Sequence, residues 1–220
     1  MTNQVICIVG PTGVGKTTKA FELAKALDGE VINLDKIYTY KKFLLATGLS
    51  DSKKETSVKK HLYEFLEPDD PIIDPGVYAK MVRSKVKEIL ERGKTAIIEG
   101  GSTTYFPALY WENEKNNFIQ HIFGLRFAKD FDVAQKISQR FDKVWKQGLL
   151  EEVKMGLTKY PNSLIMKDCH FVVPVARYIN GEIDIEQAKE EVLKRNLEYI
   201  KKQMLCFETF PKIEWLEQGK

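Results

Sequence analysis

The sequence predicts an α/β fold, a parallel sheet flanked by helices with a helical C-terminal portion. Three observations carry that expectation. Continuous apolar runs alternate with helical patterns over residues 1–125, which is how a parallel, doubly wound sheet reads. "GPTGVGKT" (10–17) satisfies the phosphate-loop pattern G-x-x-x-x-G-K-[ST] and sits between the first apolar run and the first helical one. Beyond residue 125 helical spacing dominates. Together they specify a P-loop NTPase-like core over residues 1–125 and a mainly helical portion, 126–220, packed on it as one compact unit.

In chain order, "QVICIVG" (4–10) is an apolar run ending in glycine, as a strand buried on both faces should be. A helix is expected from Lys16 to Leu27, then a short strand at "EVINL" (30–34). The polar stretch "SDSKKETSVKKH" (50–61) reads as a mobile loop or a solvated helix. From Asp74 to Arg92 the pattern is amphipathic, with Val77, Met81, Val82, Val86, Ile89 and Leu90 on one face and Gly93 as the stop. "TAIIEGG" (95–101) and "FIQHIFGL" (118–125) are the third and fourth strands. Helical spacing returns at Ala134, Ile137, Phe141, Val144 and Trp145 and ends near Gly148. Asp184 and Gln187 form a capping box for a long final helix. Its inner face runs through Val192, Asn196, Ile200, Met204 and Phe207, and "KIEWL" (212–216) is a last strand.

With 220 residues, 43% hydrophobic and 30% charged, the composition is that of an ordinary globular chain. A net charge of +3 permits an RNA partner without demanding one. Cys7, Cys169 and Cys206 lack metal-ligand spacing and read as reduced core thiols. No apolar run is long enough to span a bilayer, and the first residues read as a strand rather than a signal segment. The expectation is a cytoplasmic protein with no membrane partner.

The chemistry starts at the loop. Its glycines let successive N–H groups point at phosphate oxygens, and the helix that follows adds its partial positive charge. Lys16 would bridge the outer phosphates and the Thr17 hydroxyl would hold Mg²⁺. Glu99, ending "TAIIE", offers the acid that a P-loop kinase needs, so a small-molecule kinase is a competing reading. A nucleotide-binding switch module is a third.

Five further segments narrow the choice: "NLDKIYTY" (33–40), "KKHLYEFLEPDDP" (59–71), "IIEGGSTTYFPALY" (97–110), "QRFDKVWKQGLLEEV" (139–153) and "YINGEI" (178–183). In that order, with the phosphate loop before them, they resemble the isopentenyltransferases that prenylate N6 of adenine. That family comprises tRNA dimethylallyltransferases and the adenylate dimethylallyltransferases that make cytokinins. The resemblance spans nearly the whole chain and implies that the loop holds the diphosphate of dimethylallyl diphosphate, with no nucleotide hydrolysed. By position it implies that Thr12, Gly13, Gly15, Lys16, Thr17 and Thr18 bind the diphosphate, with Mg²⁺ on Thr17. It implies that Asp35 is the general base, that Ser102 holds the acceptor amine, and that Lys36, Thr47 and Arg140 are further phosphate contacts. The exocyclic amine is a weak nucleophile, and a base accepting its proton supplies roughly 10²–10⁴-fold. Cations are needed where charge develops on the leaving diphosphate.

Plainer readings stand beside these. Asp35 could cap a helix beginning near Lys36, Ser102 could cap the helix after Gly101, and Arg140 could be a solvated charge. His61 reads as a loop brace, His121 and His170 as structural, and "YFPALYW" (105–111) as core.

The chain departs from the tRNA group in two places. That group carries a helical insertion which grips the anticodon stem, and the stretch between Thr103 and Gln139 has no room for it. The final helix has Asn196, Leu197, Glu198, Cys206 and Glu208 where the tRNA group shows threonine, tryptophan and basic residues, a loss of phosphate contacts. "DCHFVVPVARY" (168–178) also fits the family poorly. The expected acceptor is therefore a free adenine nucleotide (AMP, ADP or ATP), with tRNA or another small amine as the alternative.

Overall fold

The computed structural model describes residues 4–49 and 57–218. Its six strands are β1 (Val5–Val9), β2 (Gly29–Asn33), β3 (Lys60–His61), β4 (Thr95–Gly100), β5 (His121–Phe127) and β6 (Glu214–Gln218). They form one sheet in the order β3-β2-β4-β1-β5-β6, and every pairing is parallel. Of the stretch 50–61, residues 50–56 lie outside the described residues, and its last two residues form β3.

Alternation along the strands feeds two cores. Val5, Cys7 and Val9 of β1 face the side covered by α3 (Pro75–Glu91) and α4 (Tyr105–Asn116). Ile6 and Ile8 face α1 (Lys16–Ala26), where Ala20, Phe21 and Ala24 pack. Both faces are covered, so the strands read as unbroken apolar runs. The third core belongs to α2 (Leu44–Thr47), α5 (Val133–Lys146), α6 (Leu149–Lys159), α7 (Leu164–Asp168), α8 (Val172–Ile179) and α9 (Ile185–Phe207). The end of α9 crosses back, and Phe207 joins the sheet core.

The expected caps are present. Asp74 accepts from the N–H groups of Gly76 and Val77 ahead of α3, with Pro75 in the first turn. The Asp184–Gln187 capping box opens α9. Other details differ for local reasons. Val77 is exposed, and Tyr78 and Ala79 take the buried face. Phe118 and Ile119 stay out of β5 because the Asn113 side chain accepts both their N–H groups, at 2.9 and 2.7 Å. β5 instead runs on to Phe127, opposite Gln218 of β6. The aromatic segment after Thr104 is core: Tyr105, Phe106, Leu109 and Tyr110 are buried, with Trp111 outside. Cys7 and Cys169 are buried free thiols and Cys206 is half-buried. Among the described residues no helix is long and apolar enough to cross a membrane.

Phe106 joins α4 to the end of α9, its ring edge-on to Phe207 at 5.5 Å and to Phe210 at 5.1 Å. It is 1% exposed. Phe106→Ala is expected to cost about 3–5 kcal/mol of unfolding free energy, read by urea denaturation. A loss below 1 kcal/mol would mean that this seam does not hold the C-terminal segment on the sheet.

Candidate active site

Three neighbouring strands end at one level. Register pairs Val9 of β1 with Gly100 of β4, and Glu99 of β4 with Asn33 of β2. The phosphate loop follows β1, Ser102 follows β4 and Asp35 follows β2, so all three lie at the carboxyl edge, where open α/β sheets bind ligands.

The loop leaves β1 through Gly10, at φ +147°, where a Cβ would collide with the Leu125 carbonyl oxygen. Gly15, in the left-handed region, precedes α1, and no side chain caps that helix. Lys16 is 8% exposed and its Nζ donates to the Pro11 carbonyl at 2.8 Å. Burial pushes its ammonium pKa down, Glu99 and Asp35 oppose that, and Arg140 reinforces it. Such a group gains strongly from a nearby anion.

Asp35 is held by Asn33, which is fully buried. The Asn33 Oδ1 accepts the Asp35 N–H at 2.7 Å, and its Nδ2 donates to the Asp35 and Leu62 carbonyls at 2.9 Å each. Asp35 Oδ1 accepts the Ile37 N–H at 3.0 Å, capping a 3₁₀ turn over Ile37–Thr39. The cap is real and uses one oxygen. Oδ2 has no hydrogen-bond partner among the described residues.

Glu99 is 1% exposed. The Thr17 hydroxyl lies 3.2 and 3.3 Å from its two oxygens, and the Tyr63 hydroxyl donates to it at 2.7 Å. Burial raises its pKa, against the Tyr63 hydrogen bond and the Lys16 charge. Gln203 of α9, 1% exposed, fastens the loop: its Oε1 accepts the Thr12 N–H at 2.8 Å and its Nε2 donates to the Gly101 carbonyl at 2.7 Å. Ser102 accepts the Tyr105 N–H at 3.0 Å, so it caps α4 as well as facing the site.

A cavity of about 570 Å³ brings the loop and Asp35 together. Thr12, Gly13, Gly15, Lys16, Thr17 and Thr18 line it with Asp35, Thr47 and Arg140. Ile37, Ala46 and Phe171 give it apolar wall. Arg140 donates to the Thr47 carbonyl at 3.2 Å and lies over the Phe171 ring at 5.3 Å, so it is no solvated charge. The Thr47 hydroxyl is turned to its own helix and donates to the Phe43 carbonyl at 2.5 Å. Lys36 and Ser102 line a second cavity, of about 380 Å³, which shares Asp35 but no residue of the phosphate loop. The Lys36 ammonium is 3.4 Å from Asp168 there. His61 braces the sheet edge, bonded to Glu30 at 2.5 Å; Arg92 meets the same carboxylate at 2.6 Å. Burial pushes Glu30 up, but Arg92 and His61 outweigh it and leave its pKa lowered.

Sequence reasoning missed Asn33, Tyr63 and Gln203. Asn33 had a signal, a polar residue ending an apolar strand two places before Asp35. Gln203 was concealed by its neighbour Met204, which was expected on the inner face and is only half-buried.

The Isopentenyl transferase family profile matches residues 3–168. A tRNA dimethylallyltransferase of Caldanaerobacter subterraneus is 24% identical, covering 98% of this chain and 92% of that protein. That of Bacillus subtilis is 23% identical, covering 97% and 90%. In structure, the tRNA delta(2)-isopentenylpyrophosphate transferase of Staphylococcus epidermidis superposes with a TM-score of 0.84 at 20% identity, covering 98% of this chain and 93% of that one. A eukaryotic dimethylallyltransferase acting on tRNA gives 0.76 at 18%, covering 98% and 74%. The Caldanaerobacter alignment runs over 293 positions against the 220 residues here, so that relative carries inserted segments that this chain lacks.

Gln203→Ala orphans a part-buried N–H and a buried carbonyl at once. It is expected to cost about 2 kcal/mol of stability and to weaken binding of inorganic diphosphate, measured by denaturation and calorimetry. Wild-type diphosphate affinity would mean that the loop keeps its shape without this anchor.

Proposed function

Because the chain belongs to the isopentenyl transferase family, we propose that it transfers a dimethylallyl group from dimethylallyl diphosphate to N6 of an adenine in tRNA. The observation that carries this is one cavity lined by the phosphate loop, a carboxylate and apolar side chains together. Thr12, Gly13, Gly15, Lys16, Thr17 and Thr18 hold the diphosphate, and the five-carbon unit lies against Ile37, Ala46 and Phe171. The bond from the allylic carbon to the diphosphate oxygen breaks as the bond to N6 forms. Asp35 Oδ2 takes the proton that N6 loses, while the Ser102 hydroxyl positions the amine. Lys16 and Arg140 meet the charge that develops on the departing diphosphate. The apolar wall keeps water from competing for an electrophile with carbocation character.

Thr17 and Glu99 suit Mg²⁺, a hard cation that takes a hydroxyl and one or two carboxylates beside substrate phosphates. These two residues would hold it, and when bound it would neutralise the diphosphate. Lys36, paired with Asp168 in the second cavity, belongs to the acceptor side in this reading.

The acceptor is a correction. The sequence favoured a free adenine nucleotide and cytokinin formation, whereas the relatives named above act on tRNA by name. One observation still favours a free nucleotide as second reading, the inserted segments absent here. The kinase and switch readings give way to the family assignment.

The test is incubation with dimethylallyl diphosphate and unmodified tRNA, AMP, ADP or ATP, followed by mass spectrometry of each acceptor. A prenyl adduct on tRNA is expected; an adduct on AMP alone selects the second reading, and none on any acceptor overturns both. Asp35→Asn preserves the cap oxygen and is expected to slow transfer about 10²–10⁴-fold with diphosphate affinity retained. Near-normal turnover would remove Asp35 as the base.

A further inference from the structure

Only two buried side-chain nitrogen or oxygen atoms lack a hydrogen-bond partner among the described residues: His170 Nδ1 and Arg195 Nε. Both residues line the second cavity, beside Asp35 and Ser102. Buried polar atoms are nearly always paired, and both orphans belong to residues that line this one cavity. Arg195, Tyr199 and Lys202 lie at i, i+4 and i+7 of α9 and present one face to that cavity. Among the described residues, Arg195 pairs only with Glu191, at 3.9 Å, while Glu198 lines the same cavity. The His170 ring packs against Tyr199, with centroids 4.7 Å apart. Burial, then the Arg195 charge, pushes the His170 pKa down to about 4, so at neutral pH the ring is uncharged and offers one donor and one acceptor.

We infer that this wall binds the nucleotide carrying the acceptor amine, with Arg195 holding its phosphate and His170 making a second polar contact to the same nucleotide. A planar guanidinium with several N–H donors matches phosphate geometry better than an ammonium does. The inference rests on the acceptor being an adenosine nucleotide, as proposed above. It also revises the expectation that the final helix has lost its phosphate contacts: Arg195 and Lys202 lie on the acceptor side, at positions other than those expected.

Arg195→Met keeps the aliphatic packing and removes the charge and the orphan donor. Its affinity for an unmodified anticodon stem-loop RNA and for AMP would be measured by fluorescence anisotropy and calorimetry, beside its affinity for dimethylallyl diphosphate. The acceptor affinity is expected to fall about tenfold, and the salt dependence of RNA binding to lose a slope of about 1. Dimethylallyl diphosphate affinity and the unfolding midpoint should hold. A loss confined to the stem-loop assigns the phosphate to RNA, and a loss for AMP assigns it to a free nucleotide; either supports the inference. Arg195→Lys, which keeps charge and stem, guards against misfolding and should recover the salt slope but not the full affinity. Wild-type acceptor affinity in both variants overturns the inference, as does an equal loss of dimethylallyl diphosphate binding. Because these readouts are binding constants, they stand apart from the transfer assay, whose failure in the wild type would overturn the functional reading instead.

Discussion

The site depends on the register of β2, β4 and β1. Backbone hydrogen bonds between parallel strands fix which residues stand level, and here they bring three strand ends to one line. Everything beyond that line is loop, free to carry chemistry because the strands behind it are rigid and buried. A slip of one residue in any of the three would turn its side chains to the opposite face and carry its loop out of line. The close packing of the strand ends shows in Gly100, whose missing Cβ leaves space for the Leu34 carbonyl.

Charge is distributed across that line with little margin. Lys16 and Glu99 are both almost fully buried, and each is displaced in pKa by burial and partly restored by the other. Two buried charges of this sort add little net stability, since desolvation offsets most of their attraction. Their effect is a fixed field at the carboxyl edge of the sheet, set before any ligand arrives. Tyr63 and Thr17 hold the Glu99 carboxylate still, and Asn33 does the same for the backbone of Asp35. Tyr63 and Asn33 thus fix the carboxylate and the loop at this edge from behind, through hydrogen bonds of their own.

Much of this was legible because it is local. The phosphate loop, the Asp184–Gln187 box, the Asp74 cap and the strand ends at Val9 and Gly100 each rest on a few consecutive residues. Two of the plainer readings held: Asp35 and Ser102 each accept a backbone N–H where a turn or helix starts, and both also line a cavity. What escaped depends on distance. Gln203 meets Thr12 across 191 positions, and Tyr63 meets Glu99 across 36. No periodicity encodes such a meeting, because it is set by where α9 crosses the sheet. The cations of α9 escaped for a related reason: they were sought at family positions, while Arg195 and Lys202, about two turns apart, line the second cavity.

That helix explains how the two halves of the site can act together. α9 reaches the phosphate loop through Gln203 and lines the second cavity through Arg195 and Tyr199, all within about two turns. Helices are stiff over that length, so a force on one residue is carried to the others rather than absorbed. Phe207, sunk in the sheet core one turn further on, fixes the end of the lever. One rigid element therefore lines the second cavity through Arg195 and anchors the loop at Thr12 through Gln203.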